Sequence, residues 1–142
     1  MARYRATITV PRSPAEAFAY LSDMSNTLEW DPSVRRAQRE GDEPVGAGSR
    51  FNLVVSFMGR QNEIGYRILV YDPPRAVTLA GQNASVISTD RITIAEVLGG
   101  ARIDYDAELR LKGRLKIADR LLMLAFRRLG DNALAGLGRA LQ

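Results

Sequence analysis

The run Ser13-Pro14-Ala15-Glu16-Ala17-Phe18-Ala19-Tyr20-Leu21 constrains this chain of 142 residues more than any other stretch, because it sets a helix among segments that otherwise alternate like strands. Ser13 is placed to cap the helix. Pro14 suits the first helical position, where its missing N–H has no partner to lose, and Glu16 is spaced to return to the Ser13 amide. Ala17, Phe18 and Leu21 then share an apolar face. Before this helix, Tyr4, Ala6, Ile8 and Val10 alternate with Arg3, Arg5, Thr7 and Thr9, the period of a strand with one buried side. Nearly everything from 35 to 112 also reads as strand, so the helix must cover part of an antiparallel sheet.

A second short helix over residues 24–29 ends at Trp30-Asp31-Pro32, since proline biases the residue before it away from helical geometry. Strands follow over 34–40, 51–57, 61–71, 76–81 and 86–97, with hairpin turns at Met58-Gly59-Arg60 and Gly99-Gly100 and a turn at Asp72-Pro73-Pro74-Arg75. Phe51, Leu53, Val55 and Phe57 share one face, as do Ile64, Tyr66, Ile68 and Val70, and Val86, Ser88, Asp90, Ile92 and Ile94. In the last strand Ile103, Tyr105, Ala107, Leu109 and Leu111 oppose Arg102, Asp104, Asp106, Glu108, Arg110 and Lys112. Asp104, Asp106 and Glu108 therefore read as solvated charges. Over 115–141 the period becomes helical. Leu115, Ala118, Leu121, Leu122, Ala125, Phe126, Leu129, Ala133, Gly136 and Ala140 form the stripe expected to face the sheet. Gly136 and Gly138 are expected to weaken its last turns.

The chain contains no histidine and no cysteine, which excludes a Ser-His-Asp triad, a thiol nucleophile and an ordinary zinc site. No loop has the spacing of a calcium site, and neither a metal nor a cofactor is expected. Acid–base work would fall to Asp, Glu, Tyr, Lys or Arg. No apolar run is long enough to span a bilayer, and Met1-Ala2-Arg3-Tyr4-Arg5-Ala6 lacks the apolar core of a signal peptide, so a cytoplasmic location is expected. The net charge is +4, with eight Arg and Lys against two Asp between 110 and 142. Those basic residues have no interleaved aromatics and no recognised reading motif, so nucleic acid is not the expected partner.

The order of one strand, two short helices, six strands and one long helix resembles the START-like superfamily, also called SRPBCC or birch-pollen-allergen-like, and within it the polyketide cyclase/dehydrase and lipid-transport branch. The resemblance covers nearly the whole chain. It rests on Ser13 to Phe18 with Leu21-Ser22-Asp23, on Glu29-Trp30-Asp31-Pro32 with Val34, on Gly46-Ala47-Gly48-Ser49-Arg50, on Tyr71-Asp72-Pro73-Pro74-Arg75 and on Gly99-Gly100-Ala101-Arg102. Ala101 stands where such proteins often have threonine. The resemblance implies one α+β domain with a helix-grip fold, a curved seven-stranded antiparallel sheet around a long C-terminal helix. It also implies an apolar cavity that takes lipids, polyketides, quinones or similar molecules.

The residues make a case for such a cavity by themselves. Phe51, Leu53, Val55, Phe57, Tyr66, Ile92, Tyr105 and Leu109 supply walls from the sheet, and Leu122 and Phe126 supply them from the long helix. Gly65, Ala107, Ala118, Ala125 and Ala133 supply little volume. Small residues either leave room for a ligand of a few hundred Å3, the usual pocket scale, or let helix and sheet approach closely. Asp90 lies on the inward face of its strand. It either orients a polar head or exchanges a proton, or it reaches solvent or pairs with an arginine such as Arg50. Tyr66 and Tyr105 each carry a polar tip on an apolar body. Trp30 reads as a wall of the cavity mouth or as a packing anchor. The expected function is binding or transport of a small hydrophobic molecule, with a cyclase or dehydratase using Asp, Tyr and Arg as the alternative. Ile117, Met123, Leu124 and Leu134 fall on the outer helix face near Lys116, Arg120, Arg127 and Arg128, a pattern that suits a homodimer contact, a membrane surface or plain solvent.

Overall fold

The computed structural model describes residues 1–112 and 119–142. Strands β1 (Ala2–Val10), β2 (Val34–Glu40), β3 (Arg50–Phe57), β4 (Arg60–Asp72), β5 (Ala76–Gln82), β6 (Val86–Val97) and β7 (Gly100–Leu111) form one sheet in the order β1-β7-β6-β5-β4-β3-β2. Every pairing is antiparallel. Helix α1 (Pro14–Ser22), a 3-10 turn over Met24–Asn26 and helix α2 (Thr27–Trp30) carry the chain from the β1 edge to the β2 edge. Helix α3 (Asp119–Ala140) then packs on β1 and α2. This is the α+β helix-grip architecture that the family resemblance implies.

Local chemistry explains most of the boundaries. The Ser13 hydroxyl accepts from the Glu16 N–H at 3.1 Å. Glu16 answers to that hydroxyl, accepting its proton at 3.1 Å, instead of reaching the Ser13 amide. At the β3–β4 turn Met58 and Gly59 both have positive φ, 52° and 76°, which matches a two-residue loop to the twist of its strands. In β4 the expected alternation breaks. Pairing with β5 shifts between Ile68 and Val70, so Val70 is left exposed. Tyr71 turns inward in its place and meets Phe18 edge-to-face at 5.2 Å. A bulge re-aims every side chain beyond it, and simple alternation cannot anticipate that.

Helix α3 turns a different arc inward from the one that periodicity suggests. Leu115, Ala118, Ile117 and Lys116 lie outside the described residues. Of the remaining expected stripe, Leu122, Phe126, Ala133 and Gly136 are buried, but Leu121 is 53% exposed, Ala140 is exposed, and Ala125 and Leu129 are only partly covered. Leu134, expected on the outer face, is buried, as are Leu137 and Leu141, and Met123 packs partly against the core. Leu124 does stay outside, beside exposed Arg120, Arg127 and Arg128.

The cause lies in two close approaches. The Tyr4 ring lies over Gly130, where a β-carbon would stand 2.6 Å from it, and its hydroxyl donates to Asp131 Oδ1 at 2.7 Å. The Trp30 carbonyl oxygen abuts Gly136, where a β-carbon would stand 1.9 Å away. These contacts choose the face that turns inward, and Leu122, Phe126, Gly130, Ala133, Leu137 and Leu141 follow at helical spacing. Gly136 is therefore a contact point between helices, not a weak turn. Gly138 has open space around its α-carbon.

Two substitutions separate these roles. Gly136→Ala is expected to lower the urea midpoint by the equivalent of about 2–3 kcal/mol, because backbone must move. Gly138→Ala is expected to raise it by up to about 1 kcal/mol through helix propensity. Equal midpoints for the two variants would refute a tight α2–α3 approach.

Candidate functional site

A cavity of about 110 Å3 lies between the inner face of the sheet and the helices. Strand β3 lends Leu53, Val55 and Phe57, β4 lends Ile64 and Tyr66, β6 lends Val86, Ser88 and Asp90, and β7 lends Tyr105, Ala107 and Leu109. Across from them stand Thr27, Trp30 and Asp31 at α2, and Phe126, Leu129, Gly130, Ala133 and Leu134 on α3. The sequence-derived residues Leu53, Val55, Tyr66, Asp90, Tyr105, Ala107, Leu109 and Phe126 thus come together on one surface. Phe51, Ile92 and Leu122 do not line it and are buried in the core instead. Ala125 faces an external groove with Met58, Arg128 and Asn132, and Ser33, Phe57 and Leu129 line both this groove and the cavity. The cavity is smaller than the few hundred Å3 expected from the small residues, because aromatic rings occupy part of the space. Phe57 and Phe126 meet edge-to-face inside it, 6.5 Å apart.

Strand pitch brings polar groups into this apolar space. Val86, Ser88, Asp90, Ile92 and Ile94 occupy alternate positions and all are buried, so the side chains between two aliphatic ones enter the same interior. Tyr66 donates to Ser88 Oγ at 3.1 Å, and Tyr105 donates to Asp90 Oδ2 at 2.6 Å. The Tyr66 ring reaches Ser88 by lying over Gly81, its partner on β5, where a β-carbon would stand 2.7 Å from the ring. Gly81 escaped the sequence reading. Its signal was an isolated glycine within a strand, which marks a close approach.

The other acid of the site comes from the turn after α2. Asp31 accepts from the Ser33 N–H at 2.9 Å and from the Ser33 hydroxyl at 2.7 Å. Trp30, just before it, both anchors α3 and walls the cavity. Its ring meets Tyr105 edge-to-face at 6.5 Å, and its buried Nε1–H has no hydrogen-bond partner among the described residues. Among those residues no ion pair reaches Asp90, so the partner it takes is Tyr105 and not Arg50.

Burial raises the Asp90 carboxyl to about 6; the Tyr105 hydroxyl works against that shift, the negative Asp31 adds to it, and Ser88 again opposes it. Desolvation likewise raises Tyr105 and Tyr66, and the charge of Asp90 pushes both further up. Asp31 is raised by its own burial, against the bonds from Ser33. The described cavity wall carries two carboxylates and no basic side chain. Such a wall can accept hydrogen bonds from a guest, and Asp90 can exchange a proton close to neutral pH.

A family model described as polyketide cyclase/dehydrase and lipid transport matches residues 1–142. Among curated proteins, Toxin Rv0910 of Mycobacterium tuberculosis is 27% identical over 110 residues, covering 77% of this chain and 76% of that protein. The structure is similar to a START superfamily protein from Mycobacterium smegmatis, with a TM-score of 0.77 at 16% identity, covering 99% of this chain and 94% of the other. It is similar also to the Zhui aromatase/cyclase from a Streptomyces species, with a TM-score of 0.78 at 14% identity over 95% and 90% of the two chains.

The position of Asp90 has a consequence for stability. Its folded value of about 6 lies above the ordinary 3.8, so the folded state holds the proton more tightly, and the Asp90 contribution to stability falls as pH rises between those values. Asp90→Asn keeps an acceptor for Tyr105. It is expected to stabilise the protein near neutral pH by roughly 2 kcal/mol and to remove that part of the pH dependence, as read from urea midpoints across the acid range. An unchanged pH profile would mean that Asp90 is solvated.

Proposed function

The chain belongs to the polyketide cyclase/dehydrase and lipid-transport family, and from that premise we propose that it binds a small apolar molecule in the cavity between its sheet and α3. The observation that carries this reading is a mostly apolar space with a hydrogen-bonded polar cluster, Tyr66–Ser88 and Tyr105–Asp90, set into one wall. Apolar burial supplies the affinity in such a site, and a few polar groups orient the guest. The modest volume favours a compact ring or a short chain over an extended acyl lipid.

Mass analysis of organic extracts from the purified protein is expected to reveal a bound apolar molecule. Ala107 lines the cavity and carries almost no volume, so Ala107→Phe is expected to abolish that load while circular dichroism and the melting temperature stay close to wild type. A folded Ala107→Phe protein with its full load would overturn the assignment.

The Asp90 carboxyl, titrating at about 6 and held 2.6 Å from the Tyr105 oxygen, also favours a second reading, a cyclase or dehydratase in which Asp90 moves a proton. Asp90→Asn separates the two. Loss of conversion of the extracted molecule with binding retained supports the enzyme. Retained binding with no conversion by the wild type supports a carrier.

A further inference from the structure

The charged groups of the described cavity wall are of one sign. Among the described residues its charged side chains are Asp31 and Asp90, and no Arg or Lys lines it; the arginines of α3, Arg120, Arg127, Arg128 and Arg139, are exposed. Three hydroxyl protons of the wall are already committed. Tyr105 gives its proton to Asp90, Tyr66 gives its own to Ser88, and Ser33 gives its own to Asp31. Ser88, having accepted from Tyr66, has its proton to offer toward Asp90, on which it exerts a favourable effect. A carboxylate has about four acceptor positions, so Asp90 keeps capacity for a donor from the guest.

Among the described residues the buried side-chain atom of this wall with no hydrogen-bond partner at all is the Trp30 Nε1. An anionic guest would find neutral donors and two acids but no cation among the described residues, in a space where unpaired charge is costly. A hydroxyl has the complementary pattern. Its proton can go to Asp90 and its oxygen can accept from Trp30. An ammonium group can satisfy Asp90 but has no lone pair for Trp30.

We propose that the cavity selects an uncharged, hydroxyl-bearing apolar molecule of about one ring, an alcohol or phenol, and refuses the carboxylate of the same shape. This inference rests on the binding reading above and adds the polarity of the guest to it. The groups that face Asp90 and set its charge are Tyr105 from β7, Tyr66 from β4, Ser88 on its own strand and Asp31 after α2.

The test is a titration of the full chain, near neutral pH, with four probes of similar shape followed by NMR chemical shifts. These are ethylbenzene, 4-ethylphenol, 4-ethylbenzoate and 4-ethylbenzylamine. The phenol is expected to bind at least about tenfold more tightly than the benzoate. Asp90→Asn should bring the two within roughly threefold of each other. Trp30→Phe should weaken the phenol by a larger factor than it weakens ethylbenzene. Equal affinity for phenol and benzoate, with ethylbenzene bound, would overturn the proposal and leave the binding reading standing. Preference for the amine over the phenol would overturn the hydroxyl assignment. Failure of all four probes, ethylbenzene included, would sink the binding reading itself and this inference with it.

Discussion

Helix α3 touches the rest of the molecule where side chains are missing. Gly130 receives the Tyr4 ring and Gly136 receives the Trp30 carbonyl, so the helix is held close to β1 and α2. The inner arc of α3, the burial of Leu134 and Leu137 and the partial exposure of Ala125 all follow from that hold. So does the cavity. With the helix tied to β1 on one side and to α2 on the other, the space between Phe126 and strands β3, β4, β6 and β7 stays partly unfilled. Packing density normally leaves little such room in a core of this size. Here it is left beside small side chains, Ala107, Ala133 and Gly130.

The second constraint is a carboxylate that costs stability where it stands. Asp90 is buried among aliphatic neighbours on its own strand and is answered by a tyrosine hydroxyl, without a cation among the described residues. Aliphatic packing at that position would serve the fold better, since a buried acid without a counter-charge is unfavourable. A group that costs stability inside an apolar space supports the proposed binding of a guest, and its neighbours fit that proposal. Tyr105 donates to the carboxylate, Asp31 keeps its proton affinity up, and Trp30, whose indole N–H has no partner among the described residues, stands in the same wall. Stability and the proposed recognition thus meet in the same few residues.

Much of this is legible in the sequence, and the reasons differ by element. The α1 cap is local chemistry within four residues, so Ser13, Pro14 and Glu16 identify the helix without help from the rest of the chain. The inward placement of Asp90 follows from a strand with no bulge, because alternation in β6 runs unbroken from Val86 to Ile94. Val70 was misplaced because β4 carries a register shift, and nothing in its own residues announces where the partner strand slips. Leu121 and Leu134 were exchanged between the faces of α3 because a helix rich in leucine and alanine has two plausible apolar arcs. The choice between them was made by Tyr4 and Trp30, residues more than a hundred positions away in the chain.

By itself, then, the amino-acid sequence determined the order of elements, the antiparallel sheet, the absence of histidine and cysteine chemistry, and the inward face of β6. These are set by short-range periodicity and by composition. Only the tertiary structure decided which arc of α3 faces inward, how large the cavity is, and that Tyr105, not an arginine, answers Asp90. It alone joined Asp31 and Trp30 to the same wall. Those features depend on distances between segments far apart in the chain, and a distance of that kind exists only once close approaches at Gly130, Gly136 and Gly81 have fixed how the layers stack.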